Sequence, residues 1–215
     1  EETGAISDLT RFMLASACRD CLSWGDSVSV SVNLSAVDFR MSDVAAMVRG
    51  ALAESGLPSK RLEVEVTEGA ILDDQAATSA VLSEMRKHGV KVALDDFGTG
   101  YSSLSYLNNL PLDRVKIDQS FVRQINSEDR SLKLVSGVTQ LARELGLSIT
   151  VEGVETLEQF ELLKENAQID LVQGFLFGSA LSPKGIQTLI QNVFSLSKKI
   201  QPKIGDAPES KVSAA

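Results

Sequence analysis

The chain has 215 residues, a formal net charge of −8 and one histidine. That length suits a single domain of the barrel or doubly wound kind, which buries roughly 70% of its unfolded surface and needs no disulfide or structural metal to fold. The acidic balance argues against a nucleic-acid polymer as partner, and no apolar run approaches the ~18 residues of a membrane span, so a cytoplasmic domain is expected, whatever anchor a longer parent carries.

Glu1-Glu2-Thr3-Gly4 opens the chain where a Met would stand, as expected of a piece of something longer. Residues 7 to about 24 read as an amphipathic helix holding Leu9, Phe12, Met13, Ala17 and Cys21. Cys18 and Cys21 form a C-x-x-C with neither a preceding strand nor a second ligand pair, so they read as thiols of that helix and not as a redox or zinc motif. Val28 to Leu34 alternates as a strand, and Ser42 is positioned to cap a helix that Gly56 ends. Leu62 to Thr67 is the next strand, with Glu63, Glu65 and Thr67 on one face. A helix from about Asp74 to Lys87 stops at His88-Gly89, where a cation suits the helix dipole.

The strand Val90 to Asp95 then runs into two adjacent carboxylates, Asp95 and Asp96, and a glycine-bracketed loop, Gly98-Thr99-Gly100. A short helical turn is expected around Leu104 and Leu107. Pro111 precedes a strand with Val115 and Ile117 on one face and Lys116 and Asp118 on the other. A helix spans about Ser127 to Leu145, and Ile149 and Val151 mark another strand. Thr156 to Gln159 is a capping box, Ile169 to Gln173 a last strand, and Ser182-Pro183 starts a final helix. The sequence predicts one domain over 1–197 and a disordered tail over 198–215.

Strands alternating with helices predict an α/β fold with a parallel sheet. One face of each strand is Val, Ile or Leu. The other ends in a polar side chain: Asn33, Glu65, Asp95, Lys116, Glu152 and Gln173. An open sheet covered on both faces needs apolar residues on both, so the pattern favours a closed barrel with these groups at its carboxyl-end rim. A satisfied buried network would need a partner for every carboxylate, and the single lysine is expected to fall short where a divalent cation would not. The all-oxygen donor set selects Mg²⁺ or Mn²⁺ over zinc. Asn33, Glu65 and Asp95 are candidates for one ion, and Asp95 with Asp96 for a second, an arrangement suited to phosphodiester cleavage. Lys116 can hold a phosphate oxygen or orient the attacking water, and Glu152 is a candidate general base. An enolase-type barrel also combines Mg²⁺, rim carboxylates and a lysine, but accounts less well for the adjacent aspartates and the glycine loop.

Several blocks taken together resemble the EAL-domain cyclic-di-GMP phosphodiesterases: Val32 to Ala36, Leu62 to Glu68, Asp95 to Leu104, Lys116-Ile117-Asp118, Glu152 to Glu155 and Gln173-Gly174-Phe175. The resemblance implies a modified (β/α)8 barrel of the TIM type, two Mg²⁺ or Mn²⁺ ions, and hydrolysis of cyclic-di-GMP to the linear dinucleotide, with a homodimer and an upstream sensor or GGDEF-type domain as partners. It implies metal ligation by Asn33, Glu65, Asp95 and Asp96, catalysis by Glu152 and Lys116, and substrate contact at Gln173 and Asp118. It also implies a dimerisation loop at Phe97, Gly98, Thr99 and Gly100, anchored by Glu68 with Glu155 beside it. The Glu-Ala-Leu segment, with its metal-ligand glutamate and barrel-closing strand, does not occur in these residues. A barrel lacking N-terminal strand(s) is therefore expected, either as a fragment of an active enzyme or as an inactive module that binds cyclic-di-GMP or a protein.

Overall fold

Six runs of branched aliphatic residues become six parallel strands: β1 (Val30–Leu34), β2 (Leu62–Thr67), β3 (Lys91–Phe97), β4 (Arg114–Ile117), β5 (Ser148–Val151) and β6 (Leu171–Val172). The computed structural model describes residues 5–41, 43–99, 107, 109–123, 125 and 130–200, which divide into the units Glu1–Ala180 and Leu181–Ala215. In the first unit the strands pair in the order β1-β2-β3-β4-β5-β6. A sheet wound in one direction, with no reversal of order, is the topology of a TIM-type barrel and not of a doubly wound sheet. The fold is thus α/β, of TIM-barrel type, as the alternation predicts. Among the described residues β1 and β6 each pair on one side only.

The helices of this unit are α1 (Ala5–Ser23), α2 (Ala36–Met41), α3 (Val44–Ser55), α4 (Glu68–Asp73), α5 (Gln75–Lys87), α6 (Arg130–Glu144) and α7 (Leu157–Asn166). α1 packs on α3, α3 on α5, and α6 on α7. Val64, Leu94, Val115, Ile149 and Val151 of the sheet are fully buried in one core with Val48, Leu82, Met85 and Leu163 of the helices. Each such side chain contributes about 1.5–3 kcal/mol over its exposed state. A slip of one residue would send this whole set inward and the carboxylates outward, so packing on the outer face fixes which side chains reach the barrel interior.

Differences from the sequence expectations have local causes. β1 begins at Val30 and not Val28, because the Val28 carbonyl is taken by Arg61 Nε at 2.7 Å. The same guanidinium ties the carbonyls of Cys21 and Gly25, at 2.7 and 2.6 Å, and so holds the end of α1 on the sheet. Asp43 caps α3 by accepting from the Ala46 N–H, while Ser42 lies outside the described residues. α4 was not expected. Thr67, extended at the end of β2, accepts from the Ala70 N–H and starts a helix at once, with Glu68 favourably placed in its first turn.

Two similar clasps hold the amino ends of the strands. Asp113 accepts from Arg86 and from the Val92 N–H, and Asp170 accepts from Arg143 and from the Ile149 N–H. β6 is shorter than expected, covering only Leu171–Val172, with Gln173 just past its end.

The second unit contains α8 (Pro183–Ile200), with Pro183 at its first position and the Ser182 hydroxyl accepting from the Gly185 N–H. The tail expected from residue 198 is helical to Ile200, and its remainder lies outside the described residues, as do Gly100 and Leu104.

Candidate active site

Lys116 is where the interior faces meet. Its ammonium lies 2.7 Å from Glu65 Oε2, 2.8 Å from Asp95 Oδ1 and 2.7 Å from Glu152 Oε1. The three carboxylates come from β2, from β3 and from the end of β5, so the register of four neighbouring strands converges on one atom. A lysine has three donor protons, and each has a carboxylate. The expectation that one lysine could not satisfy the inner face is corrected to that extent. Ala93 on β3, fully buried and in register with Glu65, leaves the ammonium room to reach across to β2.

Asp96 reaches the same place by a different route. Strict alternation would turn it away from Asp95. The β3–β4 register shifts between Leu94 and Phe97, and Asp96 adopts φ 54°, in the left-handed region that Asp tolerates better than most residues. The irregularity lets two consecutive carboxylates face one mouth. Asp95, Asp96 and Glu152 each offer an oxygen within 4.8 Å of the others.

Electrostatics follow from this crowding. Burial, then Asp95 and Asp118, push the Asp96 carboxyl above its ordinary value. Burial raises Glu152 too, outweighing the downward pull of Lys116. Burial acts to lower Lys116, but its hydrogen bonds to Asp95, Glu152 and Glu65 prevail and hold it above an ordinary lysine. Lys116 therefore stays an ammonium and cannot act as a base near neutral pH. With Glu65, Asp95, Asp96 and Glu152 all ionised, four carboxylates face one ammonium and three negative charges remain uncompensated. Hard oxygen donors in that number, with excess negative charge, fit a divalent cation of the Mg²⁺, Mn²⁺ or Ca²⁺ type.

The remaining expected residues fall into two groups. Asn33 is exposed on β1 and lines a cavity of about 620 Å³ together with Asp95, Asp96, Ser35 and Thr67. Glu68 is buried, and its Oε1 accepts from the Gly98 N–H at 3.2 Å, as a loop anchor would. Phe97, grouped with the loop in the sequence, packs in the core, while Thr99 is exposed and bonds back to the Asp96 carbonyl. Asp118 is half-buried and caps a short 3-10 turn through the Ser120 N–H. Gln173 and Glu155 are exposed. Glu155 precedes the Thr156–Gln159 capping box, and its N–H donates to the Gln159 side chain.

Two interior residues escaped the sequence argument. Arg114 and Glu63 form an ion pair at 3.0 Å, each two residues before Lys116 and Glu65 on the same strands. The alternation that singled out Lys116 and Glu65 carries the signal for them as well.

The model of the EAL domain family matches residues 1–180. Over 195 residues the chain is 37% identical to the cyclic di-GMP phosphodiesterase NbdA of Pseudomonas aeruginosa, covering 89% of this chain and 25% of that protein. The solved structure of the phosphodiesterase MucR from the same organism, in complex with c-di-GMP, superposes with a TM-score of 0.77 at 38% identity, covering 83% of this chain and 79% of that one. A manganese/cy-diGMP complex of BlrP1 from Klebsiella pneumoniae gives a TM-score of 0.70 at 31% identity, covering 79% of this chain and 43% of that one. The chain spans about a quarter of the length of the curated relatives it matches. No helix among the described residues is long and apolar enough to cross a membrane.

Proposed function

The chain belongs to the EAL domain family, and on that premise we propose that it carries the site of a metal-dependent phosphodiesterase that opens cyclic-di-GMP to the linear dinucleotide. The observation that carries the reading is the convergence of Glu65, Asp95 and Glu152 on Lys116 at the carboxyl ends of parallel strands, with Asp96 turned into the same mouth. A phosphodiester anion cannot settle against three uncompensated negative charges unless cations accompany it.

Asp95, Asp96 and Glu152 are the group that would hold such a cation, with Glu65 and Asn33 as further donors. Mg²⁺ or Mn²⁺, one or two ions, suits these oxygens. When bound, such an ion lowers the pKa of water and offsets charge on the phosphate. The chain's own groups supply the rest. Lys116 keeps its proton and fixes Glu65, Asp95 and Glu152 relative to one another. Glu152, with its carboxyl raised, is the best-placed group to accept a proton from an attacking water. Glu68, through the Gly98 N–H, steadies the turn that follows Asp96. Gln173 and Asp118 stand outside the carboxylate cluster, as substrate contacts would. The same reading takes the loop that starts at Phe97 as a pairing element of a homodimer. It also expects companion domains, since the relative MucR is named a bifunctional diguanylate cyclase/cyclic di-GMP phosphodiesterase.

A rival reading, a module that binds the nucleotide without cleaving it, is favoured by one observation: Lys116 already satisfies three carboxylates without any ion. Incubation with cyclic-di-GMP and Mn²⁺, followed by chromatography, separates the two. Linear dinucleotide that disappears in Asp95→Asn and Glu152→Gln supports the enzyme. Saturable nucleotide binding with no product supports the module and overturns the enzyme for this chain.

A further inference from the structure

A second charged layer lies inside the barrel beneath the site. Arg114 Nε donates to Glu63 Oε2 at 3.0 Å, and its Nη1 donates to Thr150 Oγ1 at 3.0 Å. Ser31 Oγ donates to Glu63 Oε1 at 3.2 Å. The layer thus links β1, β2, β4 and β5, and β3 contributes Ala93, fully buried and in register with Arg114. The alanine methyl lets the arginine cross β3 to reach Glu63, as Lys116 crosses it to reach Glu65.

Every member of this layer stands two residues before a member of the site: Ser31 before Asn33, Glu63 before Glu65, Ala93 before Asp95, Arg114 before Lys116, Thr150 before Glu152. Side chains two apart on a strand share a face, so each lower residue shares a strand segment with the site residue above it. The layers differ in balance. Arg114 and Glu63 neutralise each other and are largely buried, at 14% and 10% side-chain exposure, whereas the site above has carboxylates in excess. A buried ion pair that also meets its other hydrogen-bonding needs offsets its desolvation and can hold strand positions that the repulsive layer above would loosen.

We propose that Arg114 and Glu63 are a positioning pair: by locking β2 to β4 one layer down, they set the separation of Glu65 and Lys116 and, through it, the cation affinity of the site. The proposal rests on the cation-binding reading above. Neither residue belongs to the Asp95, Asp96 and Glu152 group that would hold the cation.

The test uses Arg114→Met, Glu63→Gln, the double variant and Arg114→Lys. Two readouts are taken without nucleotide: Mn²⁺ affinity by calorimetry, and the Lys116 Nζ proton signals by ¹⁵N NMR on metal-free protein. Each single variant should weaken Mn²⁺ about tenfold, the lower end of what losing a supporting partner costs a metal ligand. The double should be no weaker than the worse single, because the pair acts as a unit, and Arg114→Lys should recover part of the loss. The Lys116 Nζ protons should exchange faster in Arg114→Met. Should Arg114→Met not fold, the double variant, which strands no charge, carries the test.

Folded variants with unchanged Mn²⁺ affinity and unchanged Lys116 signals would overturn the proposal and leave a merely stabilising pair. If the wild-type chain binds no Mn²⁺ while the Lys116 signals still shift in the variants, positioning stands and the cation reading fails. If they do not shift, positioning fails as well.

Discussion

Lys116 Nζ lies 2.8 Å from Asp95 Oδ1, so a cation of the protein's own stands beside the first of the two adjacent aspartates. The ammonium is what allows the neighbouring carboxylates to converge at all. It offsets one of their charges and spends each of its protons doing so, which rules it out as a base and leaves the remaining negative charge as the property that would draw a cation.

Removing that ammonium should make stability depend on metal. In Lys116→Met, Glu65, Asp95 and Glu152 lose their shared partner in a setting where the lysine side chain is only 5% exposed. Breaking a buried pair costs about 3–5 kcal/mol. The expected result is a loss of that order in urea unfolding at pH 7 in the presence of a chelator, and partial recovery with saturating Mn²⁺. An equal loss in both conditions would mean that these carboxylates do not share a cation.

Asp96 provides a pH-dependent test. Its carboxyl is raised in the folded protein, by burial first and then by Asp95 and Asp118. The folded chain therefore holds that proton more tightly than the unfolded chain. The stabilisation this gives is present below the ordinary aspartate value of about 3.9 and is lost as pH rises through the raised value. Glu152, raised chiefly by burial, has the same sign. Asp96→Asn removes the titration while keeping a residue that tolerates φ 54°. Without metal, melting curves of variant and wild type should lie closest near pH 4 and separate toward pH 7, with the variant melting higher. The same variant should weaken Mn²⁺ binding. A variant that melts lower at pH 7 would remove electrostatic crowding as the account of Asp96.

The sequence made the regular part of this arrangement legible and hid the irregular part. Alternation placed Glu65, Asp95, Lys116 and Glu152 on one face because period two is all that a strand needs. The same rule mispositions Asp96, since the register shift after Leu94 leaves no mark in composition. It did not predict how far one lysine could reach, because that depends on Ala93 being small between two strands that are not neighbours. α4 was missed because a strand passing straight into a six-residue helix gives no room for a helical period to show; only the Thr67 cap and Glu68 hint at it. Glu68 was marked as a loop anchor only by the family resemblance; its burial and its bond from the Gly98 N–H are tertiary facts that no strand or helix period carries.

The C-x-x-C of α1 should be chemically silent. Cys18 and Cys21 are fully buried. Burial first, then Cys21, push the Cys18 thiol up to about 11, and burial raises Cys21 against the opposing pull of Arg61. Since the thiolate is the reactive form, a disulfide reagent at pH 8 should label neither thiol in the folded protein and both in urea. Rapid labelling of one thiol without unfolding would show that α1 opens locally and that the Arg61 contacts to Cys21, Gly25 and Val28 do not hold its end in place.

Gly98 joins the site to the turn behind it, and a single methyl group tests the join. Its φ is +95°, and a Cβ there would lie 2.5 Å from Phe121 Cζ. Two costs coincide in Gly98→Ala: a left-handed backbone that alanine resists, on the order of 1–3 kcal/mol, and a ring that must move. They can be separated, because Phe121→Leu relieves the ring contact but leaves the backbone strain. Gly98→Ala should lower the melting temperature and weaken Mn²⁺ binding, because the Gly98 N–H that meets Glu68 Oε1 follows directly on Asp96 and Phe97. Adding Phe121→Leu should restore part of the stability and little of the metal affinity. Full restoration of both would show that the ring contact alone matters and that the Glu68–Gly98 hydrogen bond does not steady the aspartates.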